Sequence, residues 1–118
     1  MKARYNSLED FIVWVKKYGM KYVFWNVEES TKNFTAVQND KKTPMARVTF
    51  CLRLGTTDDK IYLTYIELLA QKDIVGNNSE DYKKLAEEAN IKKSAIIKDL
   101  QYKIQQPVTI INGVIEMG

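Results

Sequence analysis

Histidine is absent from this 118-residue chain, and cysteine appears once, at Cys51. The first absence removes the commonest general base and the commonest metal ligand. The second excludes an internal disulfide and leaves Cys51 with no imidazole to activate it, which suits a reducing, cytoplasmic setting. The glycines (19, 55, 76, 113 and 118) form no phosphate loop and no dinucleotide fingerprint. No spacing of Cys, His, Asp or Glu matches a metal cage. The carboxylate pairs Asp58-Asp59, Glu80-Asp81 and Glu87-Glu88 read as helix-dipole compensation and solubility. The expectation is therefore no enzyme, no metal and no cofactor. No apolar run approaches the length of about 18 residues that a membrane span needs, so no membrane partner is expected. Met1-Lys-Ala-Arg-Tyr5 leads into polar residues rather than an apolar core, so no signal peptide is expected either.

What is present is globular: 45% of the residues are hydrophobic and 11% of the chain is aromatic. The net charge of +3 is unevenly spread, with +5 in residues 1–55 and −2 in residues 56–118. Within the acidic half, residues 92–103 carry four lysines against Asp99, a local +3.

That local charge sits in the most informative segment, residues 82–103. Asn78 or Ser79 caps a helix whose first turn holds Glu80 and Asp81. Leu85, Ala86 and Ala89 line one side of it. Asn90 stands where a tight corner needs the left-handed conformation, and Ile91 plugs that corner. A second helix follows, with Ala95, Ile96, Asp99 and Leu100 at helical spacing and Ile96 and Leu100 packing back. Pointing outward are Lys92, Lys93, Ser94, Ile97, Lys98 and Gln101. Lysines neutralise phosphates, Ser and Gln reach base edges, and Ile97 suits a thymine methyl.

Leu85-Ala86, Asn90-Ile91, Ser94-Ala95-Ile96 and Leu100 together resemble the helix-turn-helix of winged-helix DNA-binding proteins. The resemblance covers about residues 56–118. Asp59 to Lys72 looks like the first helix, with Ile61, Tyr65, Leu68 and Leu69 as its stripe and Thr57 or Asp58 as its cap. After Pro107, Val108 to Met117 reads as the wing hairpin, with a type I′ turn at Asn112-Gly113. Glu116 is that hairpin's only charge, and both its faces are apolar. It is expected to pack on the other half of the chain or on a second subunit.

In residues 1–55, Ser7 caps an amphipathic helix over 7–18, ended by Gly19. Strands are expected at 21–27, 34–38 and 47–54, with 39–44 as a mobile loop. Arg47, Thr49, Cys51 and Arg53 alternate with Val48, Phe50, Leu52 and Leu54, so the arginines lie on one outer face. That face could meet a nucleic-acid backbone, or be merely solvated. Phe11, Trp14, Tyr22, Phe24, Trp25, Phe34 and Phe50 are expected in the core.

The fold class expected is therefore α+β: a C-terminal winged helix-turn-helix over 56–118, with an N-terminal extension over 1–55 of one helix and a three-stranded antiparallel sheet. The resemblance implies binding to double-stranded DNA by a homodimer reading two half-sites. The role implied is transcriptional regulation, or service at a replication, partition or transfer origin of a mobile element such as a conjugative plasmid. Lys92, Lys93, Ser94, Ile97, Lys98 and Gln101 would meet DNA, with Arg47, Arg53 and Lys103 as further backbone contacts. The alternative is a protein-assembly module on the same scaffold without DNA binding.

Overall fold

The computed structural model describes residues 2–58 and 61–113. After β1 (Lys2–Tyr5), Ser7 begins α1 (Leu8–Lys17), its hydroxyl accepting from the Asp10 amide at 3.2 Å. Glu9 and Asp10 meet the positive end of the helix dipole and Lys16 and Lys17 the negative end. Gly19, at φ +62°, turns the chain into β2 (Tyr22–Gln38). β2, β3 (Lys41–Thr57) and β4 (Tyr62–Val75) form an antiparallel meander. α2 (Ser79–Ile104) follows, capped by Asn78, and then β5 (Thr109–Asn112). The sheet order is β1-β4-β3-β2-β5.

β1 pairs parallel to β4, and β5 pairs parallel to β2. Both helices therefore lie in crossovers between parallel strands, and both crossovers run the same way across the sheet. Such crossovers are right-handed almost without exception, which puts α1 and α2 on the same face. The outcome is visible in Lys103 of α2, whose Nζ lies 2.9 Å from Glu9 of α1. Between helices and sheet, Phe11, Val15, Val23, Leu52, Leu54, Leu63, Leu69 and Leu100 are buried.

The winged helix is not formed, and the N-terminal half does not close its own sheet. One five-stranded sheet draws on the whole chain. β3 runs through position 55, and β1 reaches across to β4. The segment read as a first helix, 59–72, is mostly strand. Its Ile61, Tyr62, Thr64, Tyr65 and Ile66 are β-branched or aromatic and suit a pleated surface. Leu69 is an extra residue in β4, since Phe50 pairs with Ala70 but Cys51 pairs with Leu68. That bulge breaks the two-residue alternation and leaves apolar residues at spacings that imitate a helix.

The two expected helices are one. Leu85, Ala89, Ile96, Leu100 and Ile104 keep a single inward stripe through Asn90, which is exposed and helical. No Gly or Pro interrupts residues 79–104. The expected wing is represented by β5, an edge strand beside β2. Its return strand, Val114 to Met117, lies outside the described residues, as does Asp59.

The two strands expected at 21–27 and 34–38 are one, and the expected loop at 39–44 shrinks to Asn39-Asp40. Both turn residues have positive φ, 52° and 61°, as a type I′ hairpin turn requires. Since β4 ends at Val75, opposite Met45, residues 35–44 project as a two-stranded ribbon. The molecule measures 57 × 27 × 21 Å, with a radius of gyration of 17.5 Å. A compact domain of this length would have about 13–14 Å.

The Lys103 ammonium, shared between Glu9 and Asp99 at 2.9 and 3.1 Å, clamps the start of α1 to the end of α2. Its hydrogen bond holds the Glu9 carboxyl below its ordinary 4.5. A carboxyl lowered in the folded state contributes stability above its unfolded value and loses it as pH falls through the folded one. The urea midpoint should therefore decline as pH drops below 4.5. In Lys103→Met that acid decline should be shallower. An unchanged pH profile would show that the clamp is not populated in solution.

Candidate nucleic-acid interface

With both helices on one side, the other side of the sheet carries no helix among the described residues. Register and alternation define what it shows. Lys93 of α2 sits over the Trp25 ring at 4.8 Å, and the Tyr82 hydroxyl donates to Glu29 at 2.8 Å. Odd-numbered residues of β2 therefore face the helices, and even-numbered ones face away. Following the pairs across the sheet gives successive rows on the helix-free face. Thr57 and Tyr62 form the first, and alternation along β2 puts Tyr22 on the same face. Phe24, Gly55, Thr64 and Arg4 form the next, then Asn26, Arg53 and Ile66. Glu28, Cys51 and Leu68 follow, and Lys32, Arg47 and Asp73 lie further along. Lys41 continues the same face of β3 to the turn.

Among the residues with described side chains, Arg4, Lys32, Lys41, Arg47 and Arg53 thus share this face. Its two carboxylates in these rows are already engaged. Arg47 Nε donates to Asp73 Oδ1 at 2.7 Å and Nη2 to Oδ2 at 3.1 Å, a bidentate fork. Arg53 Nη1 donates to Glu28 Oε1 at 3.3 Å. The Arg47 fork holds the Asp73 carboxyl below the usual carboxylate range. The Arg47 guanidinium also lies 5.5 Å from the Phe34 ring centre.

Rings interleave with these charges. Tyr22 is half exposed, at 50%, and Phe24 and Tyr62 are partly exposed beside it. The expectation that Tyr22, Phe24 and Phe34 belong to the core is corrected here, because alternation along β2 sends them away from the helices while Val23 and Trp25 turn inward. Between them, Asn26 Oδ1 and Arg53 Nε are buried atoms with no hydrogen-bond partner. They are direct register partners, so an acceptor and a donor stand side by side, each carrying an unrecovered desolvation cost of about 1–3 kcal/mol. The Cys51 thiol in the next row is pushed up by burial and by Glu28. It therefore remains protonated at neutral pH and is a poor nucleophile.

The residues expected to meet DNA from the helix are distributed around α2. Lys92 pairs with Glu88 at 3.3 Å. Lys93 is turned to Trp25, and Ile97 packs on the core. Ser94 is half-buried, while Lys98 and Gln101 are exposed. Lys103 is held in the clamp with Glu9. Arg47 and Arg53, read from strand alternation, share the helix-free face. Arg4, Lys32 and Lys41 join them only through the register of β1 and the length of β2 and β3. The alternation of Tyr22, Phe24 and Asn26 against Val23 and Trp25 was the available signal for the rings. Among the described residues no cluster suits a metal ion, and no helix is long and apolar enough to cross a membrane.

The chain matches no protein-family model, no curated protein and no solved structure.

Proposed function

We propose that this chain binds single-stranded nucleic acid along the helix-free face of its sheet. The observation that carries the reading is the gathering of Arg4, Lys32, Lys41, Arg47 and Arg53 with the rings of Tyr22, Phe24, Phe34 and Tyr62 on one surface where Asp73 and Glu28 are already ion-paired. Phosphates would follow Arg4, Arg53 and Lys32, and bases would stack on Tyr22, Phe24 and Tyr62. From the Phe24 row to the Lys32 row the face extends about 26 Å, at roughly 3.3 Å per residue. Duplex DNA, the partner expected from the sequence, is the competing outcome. On the single-strand reading, the regulatory or origin-associated role expected from the sequence would operate on unpaired strands.

The test is fluorescence anisotropy with labelled single-stranded and duplex oligonucleotides at low and near-physiological salt. Single strands should bind more tightly, with affinity falling as salt rises. Arg4→Glu should lower the salt slope by about 0.7, the share of one phosphate on a single strand. Tyr22→Ala should weaken binding about 5- to 150-fold if one base stacks there. Lys98→Glu, on the outer side of α2, should change little. Duplex preference abolished by Lys98→Glu would overturn this reading and restore the helix as the DNA contact. Absence of salt-sensitive binding would remove nucleic acid altogether.

A further inference from the structure

The sheet has two outer edges, and they differ. β1 covers β4 only as far as Tyr65, so the edge of β4 runs on from Ile66 to Val75. That edge is interrupted by the Leu69 bulge and carries Lys72, two devices that discourage strand addition. β5 covers β2 only as far as Trp25. Among the described residues nothing pairs with the outer edge of β2 from Asn26 to Gln38. This stretch has no bulge, no Pro and no Gly. Its unpaired amides and carbonyls are a template for another strand.

We infer that the outer edge of β2 is a dimer interface, in which Asn26 to Phe34 pairs antiparallel with the same segment of a second copy. A two-fold axis perpendicular to the sheet requires one residue to stand opposite itself, and the charges select which. Centring on Glu28, Glu29 or Lys32 would place like charges face to face. Centring on Ser30 places a small residue at the axis and sets Glu28 opposite Lys32 of the partner, twice by symmetry. Opposite charges directly across a strand pair are favourable and like charges are not. α2 packs chiefly over β4 and β3, so the helix side of β2 at Val27, Glu29 and Thr31 stays exposed and leaves room for the second copy. The axis keeps both helix-free faces on the same side, joining them into one longer surface. Glu28 and Lys32 also belong to the proposed nucleic-acid face, so the test is read by self-association and cross-linking in the absence of nucleic acid, where failure of that reading leaves it unaffected.

Sedimentation velocity over a concentration series tests it. The wild-type chain should show a reversible monomer–dimer equilibrium. Glu28→Lys and Lys32→Glu should each raise the dissociation constant about tenfold, and the double variant should bring it back near wild type. Folding of each variant is checked by circular dichroism. Independently of those charges, Ser30→Cys in a Cys51→Ser background should oxidise to a disulfide-linked dimer. Opposed strand residues stand about 4.5–5.5 Å apart, within disulfide reach. Thr35→Cys in the same background should not cross-link, because this register sets it opposite Trp25. A chain that stays monomeric at its highest soluble concentration, or cross-linking at Thr35→Cys as readily as at Ser30→Cys, would overturn the inference.

Discussion

Phe11→Ala should cost about 3–5 kcal/mol of folding stability, read as a lowered urea midpoint with an unchanged slope. Phe11 is 0% exposed and lies on the second turn of α1. Its ring centre is 6.4 Å from that of Tyr65 on β4, so it seats the helix on the sheet. The Tyr65 hydroxyl donates to Glu67, and burial and that carboxylate push the phenol far up, so it remains a protonated donor across the physiological range. Truncating Phe11 removes the ring from this contact and leaves a cavity bounded by a β-strand, which cannot collapse as a loop would. A domain of ordinary stability has about 5–15 kcal/mol in total, so the variant should sit near its unfolding threshold. Val13, two residues on and 58% exposed, is the control. Val13→Ala should stay within about 0.5 kcal/mol of wild type. If Phe11→Ala behaved like Val13→Ala, α1 would not be docked on the sheet.

The parts of this architecture that were legible from residues alone are those governed by local chemistry. Ser7, with Glu9, Asp10 and Gly19, defines α1 because capping and dipole effects act within one or two turns. Val48, Phe50, Leu52 and Leu54 define β3 because one face is buried and alternation follows. The same alternation put Arg47 and Arg53 together on the outer face. What was not legible depended on partners distant in sequence. From Glu28 to Asn33 every residue of β2 is exposed, so the strand carries no burial pattern and is held by pairing with β3. Residues 39–44 look like a linker for the same reason: a two-stranded ribbon has no buried side. β4 was disguised differently, by a bulge that shifts Leu69 out of step. The site followed the fold. Arg4 reaches the helix-free face only because β1 pairs with β4, and no local signal in Lys2 to Tyr5 announces that pairing.

Asn90 is where the two descriptions of the C-terminal half separate most sharply, and substitution there should separate them in solution. In a continuous helix, Asn90→Pro removes an interior hydrogen bond and drives the ring into the preceding turn, costing about 3 kcal/mol or more. The stripe of Leu85, Ala89, Leu100 and Ile104 would then lose its common register on the sheet. Proline would also be unwelcome in a left-handed corner, so the sign of two milder changes decides. Inside a helix alanine is better than asparagine and glycine is worse, with about 1 kcal/mol between alanine and glycine. At a left-handed corner the order reverses, because glycine adopts positive φ freely and alanine does not. Asn90→Ala should therefore raise the urea midpoint and Asn90→Gly should lower it. The reverse order would mean that the chain turns at Asn90, with two helices in place of α2. The exposure of Asn90 makes the comparison clean, since neither substitution changes the core, and backbone preference alone is left to decide.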